Sequence, residues 1–128
     1  MNILLVEDDP TDLLLFSVVL YSDGHCVEKN TSAEEAVVEI KARKPDLVLL
    51  DLNLPGMDGL ALTRHLREDE STRDLPIVAV TAANEEFSRR AAFAAGCDAY
   101  IVKPVDTRKL SDEIISIVAK KARARGQT

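Results

Sequence analysis

Glu7, Asp8 and Asp9 follow directly on the apolar run Asn2–Val6 (NILLV), and Asp51 follows directly on Asp46–Leu50 (DLVLL). Thr81 closes a third such run, Pro76–Val80 (PIVAV), and Lys103 follows a fourth, Ala99–Val102 (AYIV). These groups can do chemistry together only if the ends of the apolar runs share one edge. If they do, Glu7, Asp8 and Asp51 bring three carboxylates together, and their mutual repulsion calls for a cation or a proton. Oxygen-only ligands suit a hard ion, Mg²⁺ in a cell with Mn²⁺ as the substitute. Mg²⁺ keeps several waters and takes one or two carboxylates plus a phosphate. Asp8 and Asp51 fit as those carboxylates, the main-chain carbonyl of Asn53 adds an oxygen, and Glu7 acts through water. A carboxylate can also attack phosphorus to give an aspartyl phosphate. Asp51, at the end of the central apolar run, is the candidate nucleophile. Phosphoryl transfer asks for positioning and charge neutralisation more than for covalent help. Lys103 offers a flexible point charge to phosphate oxygens, and the Thr81 hydroxyl offers a hydrogen bond.

Each of these residues alone has a plainer role. Asp9 fits best as a helix cap, Asp51 as a turn residue, Thr81 as a strand end, Lys103 as a solvated lysine and Tyr100 as a core or rim aromatic. What the plainer roles do not account for is the order, one feature at the end of each successive apolar run.

The elements that would position them can be read along the chain. Asn2–Val6 is a strand. Asp9 caps a helix that has Pro10 in its first turn and runs to about Asp23, where Gly24 stops it. Cys26–Lys29 is a second strand. Ser32 and Glu35 have the spacing of a capping box for a second helix, with Val37 and Ile40 on one face and Pro45 beyond its end. Asp46–Leu50 reads as a strand buried on both faces of a parallel sheet. Pro55-Gly56 marks a turn, and a third helix spans about Asp58–Glu68. Pro76–Val80 is the fourth strand. Asn84 caps a fourth helix with Glu85 and Glu86 in its first turn, and Gly96 ends it. Ala99–Val102 is the fifth strand, and a last helix spans about Thr107–Arg123. Five strand–helix repeats predict an α/β fold, a doubly wound parallel sheet with helices on both faces. Ligands in such sheets sit at the carboxyl ends of the strands, which is where the acids, the hydroxyl and the lysine collect.

At 128 residues the chain is one domain, and its 46% apolar content supplies a core. The folded unit is expected over residues 1–120, with a short basic tail over 121–128. The net charge of −6 and the absence of Trp argue against nucleic-acid binding, which needs phosphate neutralisation and aromatic platforms. No apolar run approaches a membrane span, and the N-terminus lacks the basic start of a signal peptide. Cys26 and Cys97 form neither a disulfide framework nor a zinc motif and are expected as reduced, partly buried thiols in a cytoplasmic protein. His25 and His65 are expected on the surface or on a helix face. The basic residues Lys120, Lys121, Arg123 and Arg125 suit the end of a helix and a solvated tail.

Four segments, LLVEDDP (Leu4–Pro10), LVLLDLNLPGMDG (Leu47–Gly59), VAVTA (Val78–Ala82) and AYIVKP (Ala99–Pro104), resemble the receiver domain of bacterial two-component response regulators. With the helices between them, the resemblance spans Asn2 to about Lys120. It implies a flavodoxin-like five-stranded sheet of order 2-1-3-4-5 flanked by five helices. It implies Asp51 as phosphoacceptor, Glu7 and Asp8 as the acidic pair that organises Mg²⁺ with Asp8 the direct ligand, and the Asn53 carbonyl as a further ligand. Thr81 and Lys103 match the switch hydroxyl and the phosphate-binding lysine, Tyr100 the switch aromatic, and the Lys103–Pro104 peptide is expected to be cis. The side chains of Asn53 and Ala83 stand where the family tunes dephosphorylation. The phosphodonor would be a sensor histidine kinase or a histidine phosphotransfer protein. The output would be a downstream protein bound by the face of the fourth helix, fifth strand and fifth helix. A stand-alone, chemotaxis-receiver-like chain is expected, monomeric or weakly dimeric, a signalling switch and not an enzyme. The competing readings are a degenerate receiver that binds partners without phosphorylation, a haloacid-dehalogenase-type phosphatase, and a flavodoxin-like binding module. The phosphatase usually has a second acid where Asn53 stands. The flavodoxin-like module needs a glycine- and hydroxyl-rich loop where Glu7-Asp8-Asp9 stands.

Overall fold

The computed structural model describes residues 1–54, 56–82 and 86–126. Its elements alternate strictly: β1 (Asn2–Val6), α1 (Pro10–Ser22), β2 (Cys26–Asn30), α2 (Ala33–Ala42), β3 (Leu47–Leu50), α3 (Gly59–Glu68), β4 (Ile77–Thr81), α4 (Glu86–Ala95), β5 (Ala99–Val102) and α5 (Leu110–Gly126). All four strand pairs are parallel, in the order β2-β1-β3-β4-β5.

Alternation along each strand builds two cores, because successive side chains point to opposite faces. Leu4, Val6, Val48, Leu50, Ile77 and Ala79 face α2, α3 and α4, where they pack with Ile40, Leu62 and Ala92. Ile3, Leu5, Leu47, Leu49, Val78 and Val80 face α1 and α5, where they pack with Phe16, Leu20, Leu110 and Ile114. The middle strands β3 and β4 are therefore buried on both sides, which is why their sequences are continuously apolar. The helix boundaries follow local chemistry. Asp9 accepts the Asp12 N–H at the start of α1, Ser32 accepts the Glu35 N–H at α2, and Asp58 accepts the Ala61 N–H at α3. Gly24 has a φ of 92°, the left-handed turn that closes α1.

Several expectations shift. The last helix starts at Leu110 instead of Thr107, because Asp106 first makes a turn of its own. Its carboxylate accepts the Arg108 N–H at 3.0 Å and its carbonyl accepts the Lys109 N–H at 3.1 Å. That helix also runs past Arg123 to Gly126, through Lys, Ala and Arg residues that favour helix. His25 is buried and not on the surface, since its ring is held between the Met1 amino group at 3.1 Å and the Ser111 hydroxyl at 3.2 Å. Cys26 is exposed at the start of an edge strand, whereas Cys97 is buried. Pro55 of the expected turn, the Asn84 cap with Glu85, and Ala83 lie outside the described residues. So do the last two residues of the expected tail, Gln127 and Thr128. Among the described residues no helix is long and apolar enough to cross a membrane.

Candidate functional site

The strand order places the ends of β1, β3, β4 and β5 side by side. Val6 pairs with Leu50, Leu50 with Ala79, and Thr81 with Val102. Glu7, Asp51 and Lys103 are the residues that follow, so they leave the sheet at one edge. The Asp51 N–H continues the ladder by donating to the Val6 carbonyl at 3.0 Å, which fixes where its side chain starts. Beyond it, the loop is clamped by α3. The Gly59 N–H donates to the Leu52 carbonyl at 3.1 Å. A Cβ at Gly59 would lie 2.5 Å from Leu50 and 2.7 Å from the Asp51 carbonyl oxygen. Only glycine permits this approach.

Three of the carboxylates converge as expected. Glu7, Asp8 and Asp51 each offer an oxygen within 4.8 Å of the others. Glu7 is 1% exposed and Asp51 8% exposed, while Asp8 is open to solvent. Lys103 reaches across the cluster and donates to Glu7 Oε1 at 2.6 Å, to Asp12 Oδ2 at 2.8 Å and to Asp51 Oδ2 at 3.0 Å. Burial opposes the Lys103 charge, but the hydrogen bonds to Asp12, Glu7 and Asp51 outweigh it and hold its pKa well above the usual lysine value. For Glu7 burial wins. It raises the pKa despite the Lys103 bond and a hydrogen bond from the Asp9 N–H at 3.2 Å.

Asp12 is the member that sequence reasoning missed. It stands in the first turn of α1, three residues after the Asp9 cap, and reads from sequence as an ordinary acid complementing the helix dipole. Its spacing of four residues from Asp8 was the available signal. Phe16, one turn further on, lies 6.0 Å from the Lys103 ammonium. Asp9 itself is the cap, its carboxylate accepting the Asp12 N–H at 3.0 Å.

The remaining candidates are arranged around this centre. The Asn53 N–H donates to Asp51 Oδ1 at 3.0 Å, orienting the carboxylate, while the Asn53 side chain is exposed. Thr81 is fully buried at the end of β4, and its carbonyl accepts the Lys103 N–H at 2.9 Å. Tyr100 is 8% exposed on β5 beneath the Arg89 guanidinium, which lies 5.8 Å from its ring. The Lys103–Pro104 peptide is cis.

The ammonium thus bonds to three of the four carboxylates gathered here, so negative charge is left over for a further cation, and every available ligand atom is oxygen. That donor set fits a hard divalent ion.

The family model described as the response regulator receiver domain matches residues 3–115. Protein PilH of Pseudomonas aeruginosa is 33% identical over 118 residues, covering 92% of this chain and 98% of PilH. The phosphate regulon transcriptional regulatory protein PhoB of the same organism is 39% identical over 121 residues, and there the chain spans 52% of the relative. The crystal structure of the receiver domain of sensor histidine kinase PA1611 from P. aeruginosa superimposes with a TM-score of 0.86 at 31% identity. The match covers 92% of this chain and 97% of that one, and that structure has a magnesium ion coordinated in its active site cleft.

Proposed function

The chain belongs to the response regulator receiver domain family, and from that premise we propose that its carboxyl-edge site is a switch in which Asp51 accepts a phosphoryl group. Membership makes the protein a signalling switch with an acidic site for Mg-dependent aspartate phosphorylation, not a classical enzyme. The haloacid-dehalogenase and flavodoxin-like readings fall with it. A degenerate receiver would lack part of the machinery, whereas Glu7, Asp8, Asp51, Thr81 and Lys103 are all present.

Receiver domains are phosphorylated by histidine kinases. The donor proposed here is a phosphohistidine on such a kinase or on a phosphotransfer protein. An Asp51 carboxylate oxygen attacks phosphorus in line. The new O–P bond forms as the N–P bond breaks, and the imidazole leaves with the electron pair and takes up a proton. Asp8, Asp51 and the Asn53 carbonyl, with Glu7 through water, would hold a Mg²⁺ ion, which when bound would supply charge neutralisation for the phosphoryl oxygens. Lys103 exchanges its bond to Asp51 for one to a phosphoryl oxygen, and the Thr81 hydroxyl donates to another. Tyr100 responds to the displacement of Thr81, and the surface formed by α4, β5 and α5 changes population toward the form that binds a downstream protein.

The observation that carries this reading is the Lys103 ammonium 3.0 Å from Asp51 Oδ2 within the Glu7–Asp8–Asp51 cluster. Intact-protein mass after incubation with acetyl phosphate tests it. One phosphoryl group should be gained with Mg²⁺, none with a chelator and none in Asp51→Asn. A gain that survives in Asp51→Asn would contradict it.

A further inference from the structure

Lys103 has three ammonium N–H groups and no acceptor. All three are taken, by Glu7 Oε1 at 2.6 Å, Asp12 Oδ2 at 2.8 Å and Asp51 Oδ2 at 3.0 Å. A phosphoryl oxygen can be met only when one of these bonds is given up. The three acceptors are not equivalent. Glu7 is buried at the end of β1, so releasing it would leave a carboxylate out of water without its cation. Asp51 is the group whose oxygen bonds to phosphorus. Asp12 comes from α1, and its side chain is 28% exposed. It stands outside the group of acids whose oxygens lie within 4.8 Å of one another, and it reaches the site through its bond to Lys103. An acid in the first turn suits the helix dipole wherever its side chain points. The dipole does not call for a carboxylate turned across to the residue after β5. Phe16, four residues on along the same face, is buried with its ring 6.0 Å from the ammonium. α1 thus lines the lysine with an acid and a ring. At the other end of the residue, the Lys103 backbone N–H donates to the Thr81 carbonyl at 2.9 Å.

We propose that Asp12 is a positioning residue of the switch: with Glu7 it holds two N–H groups of the Lys103 ammonium, so that the third passes from Asp51 to a phosphoryl oxygen while the ammonium keeps its place. A lysine side chain is a point charge on a flexible stem. Held by two acids from different elements, that stem has little freedom left. Held by Glu7 alone, it can swing toward Asp8 or out into water, and the cost of fixing it again opposes binding of the phosphoryl group. Asp12 therefore acts in two opposed ways. Its negative charge repels a phosphoryl group, whereas its hold on Lys103 favours one. The opposite signs make the role measurable. The inference rests on Asp51 as the acceptor and assigns the residue that aims the lysine toward it.

Titration with beryllofluoride, which stands in for a phosphoryl group on an aspartate, decides it at saturating Mg²⁺, followed by fluorine NMR. Asp12→Ala should bind beryllofluoride roughly fivefold more weakly, the scale of one partly exposed ion pair. Asp12→Asn keeps an oxygen for the ammonium and drops the charge, and it should recover most of that loss. In a Lys103→Met background, Asp12→Ala should cause no loss. A second readout needs neither metal nor beryllofluoride. Exchange of the Lys103 ammonium protons with water, read by heteronuclear NMR, should be faster in Asp12→Ala than in wild type. Loss of a charge that served only the helix dipole would not change it. Circular dichroism confirms that each variant is folded. Binding to Asp12→Ala as tight as to wild type or tighter, a loss that persists in Lys103→Met, or unchanged ammonium exchange would each overturn the proposal. A wild-type chain that takes up no beryllofluoride would overturn the reading of Asp51 as acceptor, and this inference with it.

Discussion

At the scale of single residues the site is a problem of charge, with one ammonium placed against three carboxylates that repel one another. Lys103 contacts Glu7, Asp12 and Asp51, and of these Glu7 is almost wholly out of water. Lys103→Met leaves those acids facing each other without a cation. Its stability without divalent ions should fall by about 3 kcal/mol, the scale for removing one partner of a buried pair. The variant should also bind Mg²⁺ more tightly, because the ammonium that competes for Asp51 is gone. Thermal melts across a magnesium titration check both, and an unchanged magnesium midpoint would count against the competition. The centre itself was legible from sequence because each member follows an apolar run, and the end of a buried strand is a fixed place. Asp12 was not legible, since it lies inside a helix whose first turn often carries an acid for other reasons.

Among the elements, the loop after β3 is the one whose placement the site cannot spare. It is held between the strand and the start of α3, where Gly59 leaves no room for a side chain against Leu50 and the Asp51 carbonyl. Gly59→Ala should destabilise the fold by about 1–3 kcal/mol through overpacking and should also lower the extent of phosphorylation, since the clash falls on the Asp51 backbone. Denaturant melts and the acetyl phosphate mass assay measure the two effects, and a stable variant with full labelling would show that the contact relaxes freely. The strands and most helix starts were readable, because continuous apolar runs, caps at Asp9, Ser32 and Asp58, and stops such as Gly24 act within a few residues. The start of α5 was misread for the converse reason. Thr107-Arg108-Lys109 has no sequence mark against helix, and the turn that delays it is made by the Asp106 carboxylate and carbonyl.

The whole molecule is one sheet between two helical layers, and the α1 side is tied to α5 at a point remote from the acids in sequence. His25 joins the Met1 amino group to Ser111, and Ser111 donates to Asp23 at 2.8 Å. Such a link could not be read from sequence, because it joins residues 86 positions apart through a histidine that no local pattern marks as buried. Burial first, and then the neighbouring amino group, hold the His25 pKa below its ordinary value against the pull of Asp23. The unfolded chain therefore takes up a proton more readily than the folded one. The stability present above the ordinary histidine pKa of about 6.5 is lost as pH falls from there through the folded value. Denaturant midpoints measured between about pH 7.5 and 5.5 should decline with acid in the wild-type chain and decline less in His25→Gln. Equal slopes for the two proteins would show that His25 stays uncoupled from folding.

The most direct measurement traps the acyl phosphate where it forms. Borohydride reduction of the protein after acetyl phosphate and Mg²⁺, followed by peptide mass mapping, converts a phosphorylated aspartate to homoserine and so marks its position. The site described here predicts homoserine at position 51 and nowhere else. Homoserine at position 8, 9 or 12 with Asp51 intact would contradict it.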